Sequence, residues 1–272
     1  MKRQRLNWQE KVRKNVRKIM DFEHVKAVFE EYLNGYDREN DKVKLKIVHT
    51  YGVIRCSEEI GRRMGLQAED MELAKLIALL HDIGRFEQLK RFNSFEADTM
   101  DHATYGVKVL FEEGMIRQFI EEDTWDDVIR TAIAKHSDYE LTGITDERTL
   151  LHARLIRDAD KLDNCRVKLE DAMETLLDLS ADEVGKYAIS PKVREDAFAG
   201  KCICSKDRRT PMDYWVSYVA YFYDLNFRET LDIVAEEQYV KRIIGRVPYT
   251  NEQTKKTMEE LERQLTEYVR RK

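Results

Sequence analysis

The first proline of this 272-residue chain is Pro191; only Pro211 and Pro248 follow, and the glycines number 11. Proline removes a backbone donor and ends helices, and glycine supplies the turns that hairpins need. A chain so poor in both has few places to reverse in tight hairpins, which excludes an all-β sandwich. Hydrophobic residues make up 42% and charged residues 36%. The apolar share is too high for a disordered chain. The charged share suits helices with polar outer faces. The expected fold class is all-α, and the length is enough to bury a sizeable core without staples.

A net charge of −5 gives no general reason to expect nucleic acid as a partner. The four cysteines (Cys56, Cys165, Cys202, Cys204) are too few and scattered for a disulfide framework, so a reducing cytoplasm is the simpler setting. Cys202 and Cys204 have no second pair to make a zinc site with. No run approaches the ~20 apolar residues of a membrane span, and the basic N-terminus lacks the apolar segment of a signal peptide.

Periodicity places the elements. Residues 1–21 read as a basic amphipathic helix, with Trp8, Val12, Val16 and Ile19 on one stripe. That stripe docks the helix on the body; the sharper reading, a basic arm for nucleic acid or an anionic membrane, rests on charge alone. Helices are predicted over 21–34 and 42–64, stopped by Asn34-Gly35 and Gly65. Residues 71–83 are nearly all apolar and read as a buried core helix, and 87–101 as a loop. Further helices are predicted at 102–114, 116–121, 125–136, 148–178 and 213–245, then after Pro248. Residues 180–212 read as irregular or partly helical. The aromatic cluster Trp215, Tyr218, Tyr221 and Phe222 reads as core, with a wall over a pocket as the alternative.

The chemistry gathers on histidines. Four of the six, His49, His81, His102 and His136, lie in or at the end of predicted helices. His81 is followed by Asp82 at the end of the most apolar helix, where a carboxylate is costly unless paired or metal-bound. Neighbouring helix positions point about 100° apart, so two adjacent side chains can reach one centre from two directions, and a carboxylate can bridge two ions. Asp158 and Asp160 follow on a later helix. Helical spacing does not choose between them, since Ile156 and Leu155 point each inward. His24 and His152 have no such context and read as structural.

The ordered set Ile47-Val48-His49, Leu79-Leu80-His81-Asp82-Ile83-Gly84-Arg85, Asp101-His102, Lys135-His136 and Ala159-Asp160-Lys161-Leu162 resembles the HD-domain metal-dependent phosphohydrolase superfamily. The resemblance covers roughly residues 22–180, leaving 181–272 as a helical extension packed on that core. It implies a helical bundle in which His49, His81, Asp82 and Asp160 bind a first ion, and His102 and His136 a second, with Asp82 bridging. Members with four ligands are mononuclear; this chain keeps six. Four imidazoles and two carboxylates suit Fe or Mn first, with Co, Ni or Zn possible, and fit poorly with Mg or Ca alone.

The implied activity is hydrolysis of a phosphate ester, plausibly of a nucleotide, by a metal-bound hydroxide. Asp82 and Arg85 would be catalytic. Many dinuclear relatives have Lys where this chain has Arg85, but Arg also binds phosphate, in bidentate fashion. Lys135, Lys161, Asp163 and Asn164 are weaker candidates for substrate binding, and Glu87 and Gln88 for shaping the way in. Two rival readings are an HD-fold dinuclear-iron oxygenase similar to inositol oxygenase and a nucleotide-sensing binding module. Gly52, Gly84 and Gly106 each follow a proposed ligand within a turn; the expectation is that they leave room for metals and substrate.

Overall fold

A computed structural model describes residues 21–96 and 98–272, so the predicted N-terminal helix lies outside the described residues. Among the described residues there are helices and no strands. None of the helices is long and apolar enough to cross a membrane. The chain divides into two compact units, with the boundary between Ile156 and Arg157.

In the first unit, α1 (Phe22–Leu33) starts where the Asp21 carboxylate accepts from the backbone N–H groups of Glu23 and His24, satisfying two orphan donors of the first turn. It buries Phe22, Val25, Phe29 and Leu33, one apolar stripe. Helix α2 (Asp41–Met64) is capped by Asn40 and closed by Gly65 at φ 72°, a left-handed stop that glycine adopts without steric cost. Helix α3 (Ala68–Leu80) buries Leu73, Ala74 and every residue from Leu76 to Leu80. It packs against α1 and α2, which explains why it is apolar nearly all round.

Apolar patterning predicts this helix to residue 83 and a loop over 87–101. The chain instead turns at Asp82 (φ −104°, ψ 17°), and a new helix, α4 (Ile83–Phe92), takes in the first part of the predicted loop. Its inner positions are Ile83, Phe86 and Leu89, plus a buried Gln88. Glu87, Lys90 and Arg91 mask that short stripe in the sequence. Phe86 packs among Phe29, Tyr32 and Tyr36, and the Tyr32 hydroxyl donates to the Ile83 carbonyl at 2.9 Å. Helix α1 therefore buttresses the start of α4.

Helix α5 (His102–Val107) continues into a π-helical turn, Lys108–Glu112. Then come α6 (Ile116–Phe119) and α7 (Asp126–Lys135). Helix α5 packs on α4 and on α7. The α4–α5 crossing is a backbone contact: a Cβ on Gly84 would sit 2.2 Å from the His102 carbonyl oxygen and 2.6 Å from the Gly106 nitrogen. A Cβ on Gly106 would sit 3.2 Å from the Ile83 side chain. The expectation that Gly84 and Gly106 leave room for metals and substrate is thus corrected. They let two backbones touch, and that contact sets His102 beside His81 and Asp82. Gly52 is buried on α2.

Helix α8 (Glu147–Glu170) begins in the first unit and ends in the second. In the second unit, α9 (Met173–Leu177), α10 (Ala181–Val184) and α11 (Pro191–Phe198) lead to α12 (Pro211–Ala220). The predicted single helix over 213–245 is broken into α12, a 3-10 turn (Tyr221–Asp224), α13 (Arg228–Glu236) and α14 (Tyr239–Ile244). The breaks fall at extended Leu225 and at left-handed Gln238. Helix α15 (Glu252–Arg271) buries Thr254, Thr257, Met258, Leu261, Leu265 and Val269 against α11, α13 and α14.

Replacing Gly84 by Ala forces the α4 and α5 backbones apart. The expected loss is ~1–3 kcal/mol, as for other overpacked sites, read as a lowered urea midpoint. Gly106→Ala meets a side chain first and is expected to cost less.

Candidate metal centre

Each centre-forming residue of the first unit comes from the end or inner face of a helix. His49 lies on the buried face of α2. His81 closes α3 and Asp82 opens α4. His102 is the first residue of α5, after Asp101, whose carboxylate accepts from the N–H groups of Ala103 and Thr104 and the Thr104 hydroxyl. His136 closes α7. All five are buried.

The five converge on one carboxylate. Asp82 is 2% exposed. Its Oδ1 lies 3.3 Å from His102 Nε2 and 3.6 Å from His136 Nε2. Its Oδ2 lies 3.4 Å from His81 Nε2 and 4.0 Å from His49 Nε2. One oxygen therefore faces one histidine pair and the other oxygen the second pair. Ligand atoms of His81, Asp82 and His136 all fall within 4.8 Å of one another.

The outer ring nitrogens fix the inner ones. His81 Nδ1 lies 2.8 Å from the Ala78 carbonyl, and His136 Nδ1 lies 2.7 Å from the Ile133 carbonyl. A carbonyl only accepts, so each Nδ1 carries a proton, the tautomer in which a metal-binding imidazole turns its Nε2 lone pair inward. The Arg85 guanidinium donates to His102 Nε2 at 3.0 Å, which makes that nitrogen an acceptor as well. His102 Nε2 and His136 Nε2 then face each other across 3.0 Å, beside a carboxylate oxygen. Two lone pairs and an anion around one point are a donor set that a divalent cation satisfies, and imidazole with carboxylate suits first-row transition metals.

Burial would push the Asp82 carboxyl upward, but its polar surroundings, the Lys46 ammonium first among them, hold it well below the usual carboxylate range. Burial, and then the Arg85 charge, push the His102 ring down to about 3. The centre thus presents an ionised carboxylate and a neutral His102 imidazole, the forms that bind metals.

Two cations flank Asp82. Arg85 Nε stands 3.8 Å from Oδ1. Lys46 Nζ stands 2.5 Å from Oδ2, with its side chain 12% exposed. Sequence reasoning missed Lys46. The signal was its position three residues before His49, on the same face of α2.

The other candidates are placed as follows. Lys135 is partly exposed and pairs with Asp138 at 3.3 Å. Asp160, Lys161, Asp163 and Asn164 lie in the second unit on α8. Asp160 Oδ1 accepts from Asn164 at 2.9 Å. Lys161 pairs with Asp224 at 2.8 Å, and Asp163 holds Arg166 through both oxygens at 2.9 Å. The sequence left Asp158 beside Asp160 as an alternative. The Asp158 carboxylate is consumed within the second unit, accepting from the backbone N–H and side-chain amide of Asn226 and from the Phe227 N–H at 2.8–3.0 Å. His24 and His152 are structural: His24 Nε2 meets the Gln118 carbonyl at 2.9 Å and His152 Nε2 meets Asp70 at 3.0 Å.

The His102 shift carries a pH dependence. An unfolded histidine takes a proton near pH 6.5, whereas this ring in the folded protein does so at about 3. Protons therefore favour the unfolded chain between those values. The stability involved is complete above pH 6.5 and falls as pH drops toward 3. In chelator, His102→Gln is expected to flatten the decline of the urea midpoint between pH 6.5 and 4; an unchanged slope would refute the assignment.

No curated protein and no solved structure gives a significant match to this chain. Residues 47–165 match the HD domain family, a span that takes in His49, His81, Asp82, His102, His136 and Asp160. Residues 47–165 are thus an HD domain, helical and carrying a buried His/Asp cluster, a domain whose family generally comprises metal-dependent phosphohydrolases.

Proposed function

We propose that the protein hydrolyses a phosphate ester, of the nucleotide class, at a dinuclear centre. The observation that carries this reading is the division of Asp82 between two histidine pairs, one pair per oxygen. Such a carboxylate is built to bridge. His49, His81, Asp82 and Asp160 would hold one ion, and His102, His136 and Asp82 the other. The satisfied Asp158 favours Asp160 as the second carboxylate, and the Asn164 amide orients it, as partners of metal-binding carboxylates do. Iron or manganese suits this donor set best.

Ions held there would generate a nucleophile from water near neutral pH and offset phosphoryl charge. The protein supplies the rest. Arg85 and Lys46 bring fixed positive charge to opposite oxygens of Asp82, where the non-bridging oxygens of a phosphoryl group need it. Arg85 also donates to His102, so the phosphate contact and the ligand geometry share one side chain. The carbonyls of Ala78 and Ile133 hold the His81 and His136 rings in the ligating tautomer.

Metal analysis followed by a phosphate-release screen over nucleotides and sugar phosphates, with Mn, Fe and Co supplied, tests the reading. Asp82→Ala is expected to lose metal and phosphate release together while keeping its helical signal. Arg85→Ala is expected to keep its metal and turn over ~10–100-fold more slowly, the loss of one charged contact in the transition state. Oxygen-dependent turnover of a polyol without phosphate release would instead establish the oxygenase.

A further inference from the structure

Helix α4 carries a wholly buried amide one turn after Arg85. Gln88 is 0% exposed, although its neighbours Glu87, Lys90 and Arg91 are charged. Its Oε1 accepts from Arg85 Nη1 at 2.5 Å. Its Nε2 donates to the Glu96 carbonyl at 2.8 Å and to the Thr99 hydroxyl at 2.8 Å. The Thr99 hydroxyl in turn donates to the Glu96 carbonyl at 2.7 Å. Arg85 Nη1 also reaches the Phe95 carbonyl at 3.3 Å, while Nη2 donates to His102 Nε2.

A guanidinium has a planar fork of donors. Here one arm is fixed by Gln88 and the Phe95 carbonyl and the other points at His102. Without Gln88 that arm keeps only the longer contact to the Phe95 carbonyl, and the rotamer entropy of a long side chain opposes any one pose. The amide therefore selects the pose that faces the centre, and ties it to the segment between α4 and α5.

The chemical type of this partner matters as much as its place. A buried arginine is most often held by a carboxylate. A carboxylate at position 88 would cancel the guanidinium charge before any substrate arrived. A neutral amide oxygen holds the same geometry and leaves the positive charge for an anion.

We infer that Gln88 is a positioning residue for phosphate binding: it aims Arg85 at the centre through a neutral hydrogen bond, so that the guanidinium charge remains available to the substrate phosphoryl group. The inference rests on the phosphohydrolase reading, which it deepens by naming what sets the strength of the phosphate contact.

The test is the affinity of the manganese-loaded protein for inorganic phosphate, by calorimetry at pH 8, alongside manganese content and thermal midpoint. Gln88→Glu keeps an acceptor for Arg85 but adds a negative charge. It is expected to weaken phosphate binding about 10-fold, with manganese content unchanged, as loss of a charged contact does. In an Arg85→Ala background the same substitution is expected to change phosphate affinity less than twofold, because it acts through the guanidinium. Gln88→Met, of similar volume and uncharged, keeps the packing without the hydrogen bonds and is expected to weaken phosphate binding severalfold. If Gln88→Glu binds phosphate like the parent, or weakens binding equally with and without Arg85, the positioning role is overturned. If the manganese-loaded parent binds no phosphate at all, the phosphohydrolase reading fails first. If manganese itself is lost from Gln88→Glu, the residue serves the metal centre and the proposal is also overturned.

Discussion

A carboxylate that is 2% exposed cannot stay ionised without positive charge or hydrogen-bond donors around it. Asp82 is such a group, and much of the first unit serves its surroundings. Helix α2 brings Lys46 and His49, α3 ends on His81, α4 adds Arg85, α5 opens with His102 and α7 closes with His136. Five helices meet at one residue. The arrangement is a poor way to gain stability, since a buried pair recovers its desolvation cost only with good geometry. It makes sense as a built site.

That convergence depends on a contact with no side chains in it. Gly84 and Gly106 let α4 and α5 touch backbone to backbone. Any side chain at Gly84 would move His102 away from Asp82. The turn at Asp82 has a similar role: by ending α3 and restarting as α4, it points His81 and Arg85 into one centre from two helix directions. The aromatic packing of Phe86 on α1 then holds the new helix in place.

On α8 two carboxylates two residues apart have separate fates. Asp158 is enclosed by hydrogen bonds from Asn226 and Phe227 and ties α8 to the start of α13. Asp160 accepts from the Asn164 amide of its own helix. Which partners each carboxylate finds is set by packing, which helical periodicity does not encode. The same holds for Gln88, polar in composition and buried in fact, because its three partners match its donors and acceptor.

The sequence by itself determined the helical class, through its lack of proline and turn residues, and singled out, by their order along the chain, the four histidines that the first unit gathers around Asp82. It placed α2 and α7 closely, since their apolar stripes are local. The tertiary structure decided what local pattern could not: that α3 stops at His81, that residues 83–92 are helical although half of them are charged or polar, and that 213–245 is broken into short pieces. It also decided which cation meets which oxygen of Asp82. Lys46 was visible as a letter but not as part of the site, and Gln88 only as a residue shaping the way in, because their roles depend on partners 36 and 8 to 11 residues away. Periodicity reports which face of a helix is apolar; only packing reports which charge finds a partner there.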